Sequence, residues 1–147
     1  MEINTEHPVR VFLHSYWEIK KEQARIYRRI EELTAQAEKM TANVSGMPRG
    51  GTGEHNAVWD ALADTRTKYS EALVHGLQAE REIEGFLAQI PTTIRRQLLR
   101  HVYLEGMSIN RAALEIDRSE RQAHRIHGRA LQEAERLWDR LHKEASA

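Results

Sequence analysis

Residues 103–131 read YLEGMSINRAALEIDRSERQAHRIHGRAL, and the punctuation within this stretch decides how the chain folds. Gly106 is the residue type that closes a helix at C′, because without a Cβ it takes the left-handed backbone that position requires. Ser108 is placed to cap a short helix in which Ile109, Ala112, Ala113 and Ile116 face inward. Asp117 and Arg118 make a turn. Ser119 then caps a second helix, and Gln122 three residues later completes a capping box, each side chain satisfying the other's backbone N–H. That helix is predicted from Glu120 to about residue 143, with Ala123, Ile126, Ala130, Leu131 and Leu137 toward the core. Upstream, Pro91 sets a boundary, since the residue before proline is pushed out of helical geometry. TTIRRQLLRHVYLEG (92–106) is amphipathic, with Ile94, Leu98, Leu99 and Val102 inward. Helix, glycine, short helix, tight turn, capped helix is the order of a helix-turn-helix unit.

In such a unit the second helix enters the DNA major groove with its N-terminal residues first. The free N–H groups and dipole at that end also favour phosphate. At about 100° per residue, Arg121, Arg125 and Arg129 lie near one another, with His124 and Gly128 beside them. An arginine fork grips guanine or phosphate, and Gly128 lets the helix approach a backbone closely. The competing reading is a solvated face whose arginines pair with glutamates; Glu133, four residues after Arg129, is available for that. Cap, turn and charge agree on DNA. Arg121 and Arg125 are the expected base contacts, with Glu120 and His124 nearby, while Arg118, Gln122 and Arg129 are expected to position the DNA backbone. His124 and His127 have metal-ligand spacing at i, i+3, but His101 is distant in sequence and there is no cysteine. No metal or other cofactor is therefore expected, and His127 is expected to pack on the domain's first helix or bond locally.

The preceding part of the chain has a different rhythm. From Pro8, a first-turn residue type, Phe12, Tyr16, Ile19, Gln23, Ile26, Ile30, Leu33, Ala37 and Met40 follow spacings of 4 and 3, a heptad seam interrupted by Gln23. The pattern stops at TANVSGMPRGGTGEHN (41–56), where Gly46, Pro48, Gly50, Gly51 and Gly53 break a helix. A second seam follows: Val58, Leu62, Thr65, Tyr69, Ala72, Gly76, Ala79, Ile83, Phe86 and Ile90, widened by Leu73, Leu77 and Leu87. Gly76 in mid-helix costs about 1 kcal/mol against alanine, unless it permits close approach. Two seams joined by one loop read as an antiparallel, coiled-coil-like helical hairpin, or as helices that pair with another subunit. The expected organisation is thus all-α: a helical hairpin over 1–90 with a linker at 41–56, serving assembly or a partner, and a helix-turn-helix DNA-binding domain over 91–147.

Other features yield to plainer readings. The glycine-rich loop lacks the Gly-Lys-Ser/Thr ending of a phosphate-cradling loop and follows no strand; it reads as a connector, with Arg49 as a second-choice contact to a partner or the DNA backbone. Asp60, Asp64, Glu71, Glu80 and Glu84 recur at helical spacing without a Ser, Cys or His set, so they read as an acidic solvated face and no enzyme is expected. Trp17, Trp59 and Trp138 are harder to place, two of them beside a seam, where they mark an exposed or inter-subunit contact.

The 147 residues suffice for one domain or two small ones. Net charge is zero, so bulk charge says nothing about partners, yet residues 91–147 carry 11 basic against 8 acidic side chains. The absence of cysteine excludes disulfides and thiol chemistry and fits a reducing cytoplasm. The start lacks the regions of a signal peptide, and no apolar run approaches the roughly 20 residues of a membrane span. A cytoplasmic protein without a membrane partner is expected.

The stretch 103–134 resembles region four of bacterial sigma factors. Gly106-Met107-Ser108, Ser119, Ile126 and Arg129-Ala130-Leu131 carry the likeness. It implies a helix that reads promoter DNA, with base readers at Glu120, Arg121, His124 and Arg125, and with Gln122 where the family often has a phosphate-binding arginine. Ala112 replaces a larger apolar residue, Asp117 the turn glycine and Arg118 an apolar residue, and the readers differ, so promoter specificity does not carry over. Most of the chain, through the Met47-Pro48-Arg49-Gly50 loop and the RIHGRAL ending (125–131), is similar to small phage and prophage regulators of the RinA-like and ArpU-like late-gene group. That implies a sequence-specific transcriptional regulator acting on double-stranded DNA in a bacterial host cell, with RNA polymerase as a possible partner and homo-oligomer formation through the hairpin. The alternatives are a non-catalytic interaction protein docking on RNA polymerase or another regulator, and a phage DNA-packaging recognition subunit, whose DNA unit usually comes first.

Overall fold

Five helices and, among the described residues, no strand make up the chain in a computed structural model that describes residues 7–44 and 52–146. They are α1 (Pro8–Val44), α2 (Thr52–Leu87), α3 (Thr93–Tyr103), α4 (Ile109–Glu115) and α5 (Glu120–Ser146). The all-α expectation holds. The expected linker, 41–56, is helical at both of its described ends: α1 continues to Val44, and α2 begins at Thr52. Within this stretch of α1 the Thr41 hydroxyl donates back to Ala37 O at 2.9 Å. Gly53 falls in the first turn of α2, where backbone N–H groups lack intrahelical partners in any case. Gly46, Pro48, Gly50 and Gly51, and with them the Arg49 contact, lie outside the described residues.

The chain divides into two compact units, one being Ile19–Gly76 and the other the residues up to Glu18 together with those from Leu77 on. This division differs from a cut between 90 and 91. Apolar periodicity identifies the inward face of a helix but not the neighbour that face will meet.

Within Ile19–Gly76, α1 and α2 run antiparallel, since Gln23 meets Ala72 and Tyr27 meets Tyr69 (ring centroids 5.6 Å apart). The seams hold, with Leu33, Ala37, Val58 and Leu62 buried. Gln23, the polar interruption, is buried too, and its Nε2 donates to Ala72 O at 2.9 Å. Gly76 explains how it fits: a Cβ there would stand 2.5 Å from Gln23 Nε2. The mid-helix glycine and the polar seam residue are therefore one feature, because a buried amide must be both accommodated and hydrogen-bonded. Leu73 does not widen the seam as expected; it and Val74 are exposed, at 40% and 54%.

In the other unit, Val9 and Leu13 of α1 join Ile83, Phe86 and Leu87 of α2, with residues of α3 and α5, in one hydrophobic cluster. Each such side chain contributes about 1.5–3 kcal/mol on burial. Val9 and Leu13 lie off the expected seam yet are completely buried, because this end of α1 has more than one neighbour to meet. Leu77, expected inward, is exposed. Trp138 is partly buried against this cluster. It packs on Phe12 and Phe86 and stacks on His142 at 4.2 Å. Trp17 covers Gly106, whose φ of +75° closes α3 as expected, while Trp59 is exposed. A second cluster joins Leu98 of α3 to Ala112 and Ala113 of α4, Ile116, and Ala123 of α5. Small side chains let α4 and α5 approach closely, which is the use of alanine at 112.

Candidate nucleic-acid interface

The join between α4 and α5 sets the site. Ser108 Oγ accepts the Arg111 N–H at 3.1 Å and starts α4. Asp117 then takes φ +57°, a left-handed conformation that Asp tolerates better than most residues. This explains how aspartate serves where the sigma-like pattern has glycine. Arg118 donates its backbone N–H to Ala113 O at 2.9 Å, and its guanidinium folds back onto the carbonyls of Ile116 and Asp117. The capping box forms as expected: Gln122 N–H donates to Ser119 Oγ and Ser119 N–H donates to Gln122 Oε1, each at 3.1 Å. A cap of this kind is worth about 1 kcal/mol, and it fixes the residue at which α5 begins.

From that start the helical repeat places the side chains. Arg121, Arg125 and Arg129 share the face opposite buried Ala123, Ala130 and Ala134, and all three arginines are exposed. None of them has an ion pair among the described residues. The carboxylate best placed for Arg129, Glu133, is bound instead by Arg95 of α3 at 3.0 Å, with Thr92 Oγ1 3.5 Å away. His124 and Gln122 flank the arginines on opposite sides. Glu120 falls farther round, behind His124, at the helix N-terminus where a carboxylate suits the dipole. Three of the seven expected contact residues are therefore committed in part to the fold: Arg118 on the α4 cap, Gln122 in the capping box, and His124 hydrogen-bonded to Asn110 of α4 at 2.9 Å. All three side chains are nonetheless exposed.

His127 lies behind this face. Its Nε2 is 2.9 Å from the Tyr103 hydroxyl of α3, and the two rings stack. His14 of α1 meets Tyr103 edge-on. Burial pushes the His127 imidazole below its ordinary value, helped by the charge of Arg10 and by His124 and His14. The same burial pushes the Tyr103 hydroxyl up, against the pull of Arg10. His127 is thus a packing residue bonded to α3, the first of the two expected alternatives. Asn110, Arg95 and Tyr103 have roles that sequence spacing did not reveal, since each acts across elements. Among the described residues, no three His, Asp or Glu side chains converge as a metal site. What the exposed face offers is hydrogen-bond donors and positive charge.

No protein-family model, no curated protein and no solved structure matches the chain.

Proposed function

We propose that the chain is a sequence-specific DNA-binding transcriptional regulator of the phage and prophage kind, acting in the bacterial cytoplasm and catalysing no reaction. In this reading α3 to α5 form a sigma-region-four-like helix-turn-helix, and α1 and α2 form the hairpin that serves assembly or a partner. The observation that carries the reading is the pair Arg121 and Arg125, exposed and without an ion pair among the described residues, in the first turns of a helix whose start is fixed by the Ser119–Gln122 box. Unpaired forks at that place suit guanine edges in a major groove, and Arg118, Gln122 and Arg129 suit the phosphates beside them. Small single-unit interfaces give limited specificity, so a second copy or RNA polymerase completes the assembly on DNA.

Genome-wide and phage-wide binding in cells, followed by shift assays on the enriched site, tests this. Arg121→Ala is expected to relax sequence choice at a cost of about 1–3 kcal/mol. Undiminished, equally selective binding by the Arg121→Ala/Arg125→Ala protein defeats the assignment. A second reading, a non-catalytic interaction protein, is favoured by exposed Leu73 and Val74 on α2. It would yield salt-independent capture of RNA polymerase or another regulator with no DNA shift.

A further inference from the structure

The outward face of α5 does not end at Arg129. With Arg125 taken as the origin, the helical repeat puts Arg121, Arg129, Arg136, Arg140 and Lys143 within about 60° of it. Those six cations form one stripe, all exposed, on the side opposite buried Ala130, Ala134 and Leu137. From Arg121 to Lys143 the stripe is about 33 Å long at 1.5 Å per residue. None of the six has an ion pair among the described residues, although α5 carries carboxylates that could supply one. The three that lie between the ends of the stripe are engaged elsewhere. Glu133 is bound by Arg95 at 3.0 Å, Glu135 by Arg10 at 3.2 Å, and Asp139 lies 2.8 Å from His7 Nε2. Each of these partners comes from another part of the chain. The stripe thus keeps its cations without an ion pair among the described residues, and the remaining carboxylates of α5, Glu120 and Glu144, lie at its two ends.

We infer that the C-terminal half of this stripe, Arg136, Arg140 and Lys143, is a second contact zone for the phosphodiester backbone of duplex DNA. This rests on the DNA-binding reading of the N-terminal half. A major groove is about 12 Å wide, so a helix this long that enters it with its first turns must leave it with its last ones. The exit passes the bounding phosphates, which is where cations spaced at 7, 4 and 3 residues can reach them. These contacts carry no base information. They set the length of DNA occupied and the salt dependence.

The test compares the full chain with Arg136→Gln/Arg140→Gln/Lys143→Gln, glutamine being a good helix former, with matched circular dichroism confirming the fold. Affinity for the enriched duplex is measured from 50 to 200 mM salt, on that duplex and on versions trimmed by a few base pairs at either end. Losing three phosphate contacts lowers the slope of log affinity against log salt by about 2.7. Over that fourfold range the parent should therefore weaken about 40-fold more than the variant. Trimming one end should weaken the parent and leave the variant nearly unchanged, while base preference stays the same in both. An unchanged slope in the variant, with base preference still dependent on Arg121, overturns this inference and leaves the proposed function standing. An unchanged slope together with lost capture of RNA polymerase also overturns it, and assigns the stripe to a protein. A parent that binds no DNA overturns both.

Discussion

Gly106→Ala should be among the most costly single-methyl changes in this chain, and its cost can be divided. The backbone there has φ +75°, and an L-residue with a Cβ loses about 1–2 kcal/mol relative to glycine in the left-handed region. The added Cβ would also stand 2.6 Å from Trp17 Cζ2 and 2.9 Å from Cη2. Those atoms belong to a rigid ring, so they cannot turn aside as the end of a flexible side chain would. Overpacking of this kind costs about 1–3 kcal/mol, giving about 2–5 kcal/mol in all. Urea unfolding followed by far-ultraviolet circular dichroism measures the loss as a change in midpoint at constant slope. Trp17→Phe separates the two contributions, because a phenyl ring lacks the atoms that clash. It also deletes Trp17 Nε1, a buried donor with no hydrogen-bond partner among the described residues, which offsets part of its own cost. In the Trp17→Phe background, Gly106→Ala should cost only the backbone share, about 1–2 kcal/mol. A loss below about 1 kcal/mol in the parent, or equal losses in the two backgrounds, would refute the reasoning.

Gly76→Ala sets helix propensity against a buried amide. The new methyl gains about 1 kcal/mol in propensity but displaces Gln23 Nε2 from Ala72 O, and stranding a buried donor costs about 1–3 kcal/mol. A net loss of about 1 kcal/mol is expected; with Gln23→Ala already in place the sign should reverse to a gain of similar size, and thermal melts showing one sign in both backgrounds would exclude the coupling. His127 predicts a pH effect. Its folded value is depressed below the usual 6.5, so the unfolded chain binds this proton more readily and stability falls as pH drops below about 6.5, by at most about 1.4 kcal/mol per pH unit. His127→Gln should remove that part of the dependence between pH 7.5 and 5.5, read as the difference between parent and variant urea midpoints; superimposable profiles would mean that burial does not hold this imidazole neutral.

Much of the fold is legible in the chain because its helices announce their ends. Ser108, Ser119 with Gln122, and Gly106 act through their own or adjacent backbone groups, so their spacing suffices to place them. The seams are legible for the same local reason: Leu33, Ala37, Val58 and Leu62 recur at the period of the helix. Interactions that join distant elements are not encoded in spacing. Nothing near Val9 and Leu13 in the sequence announces that they meet α2, α3 and α5, and nothing near Gln23 announces that Gly76 will make room for it. The candidate site divides in the same way. Arg121, Arg125 and Arg129 are identified by helical phase alone. That Glu133 is not available to Arg129 depends on Arg95, 38 residues away from Glu133 in the chain.

A net charge of zero is compatible with a polyanion partner, and α5 indicates how. A charge acts on a partner only over about one Debye length, roughly 10 Å at 0.1 M salt, so local arrangement matters more than the sum. Glu133 and Glu135 are partly buried beside Arg95 and Arg10. A paired charge presents the field of a dipole, which decays faster than that of a lone cation. The carboxylates that hold α5 to its neighbours are therefore largely neutralised where they sit, whereas the exposed arginines on the outer face keep their full field. Glu133 makes this division explicit: by bonding to Arg95 it helps anchor α5 to α3, and by the same bond it is withdrawn from Arg129.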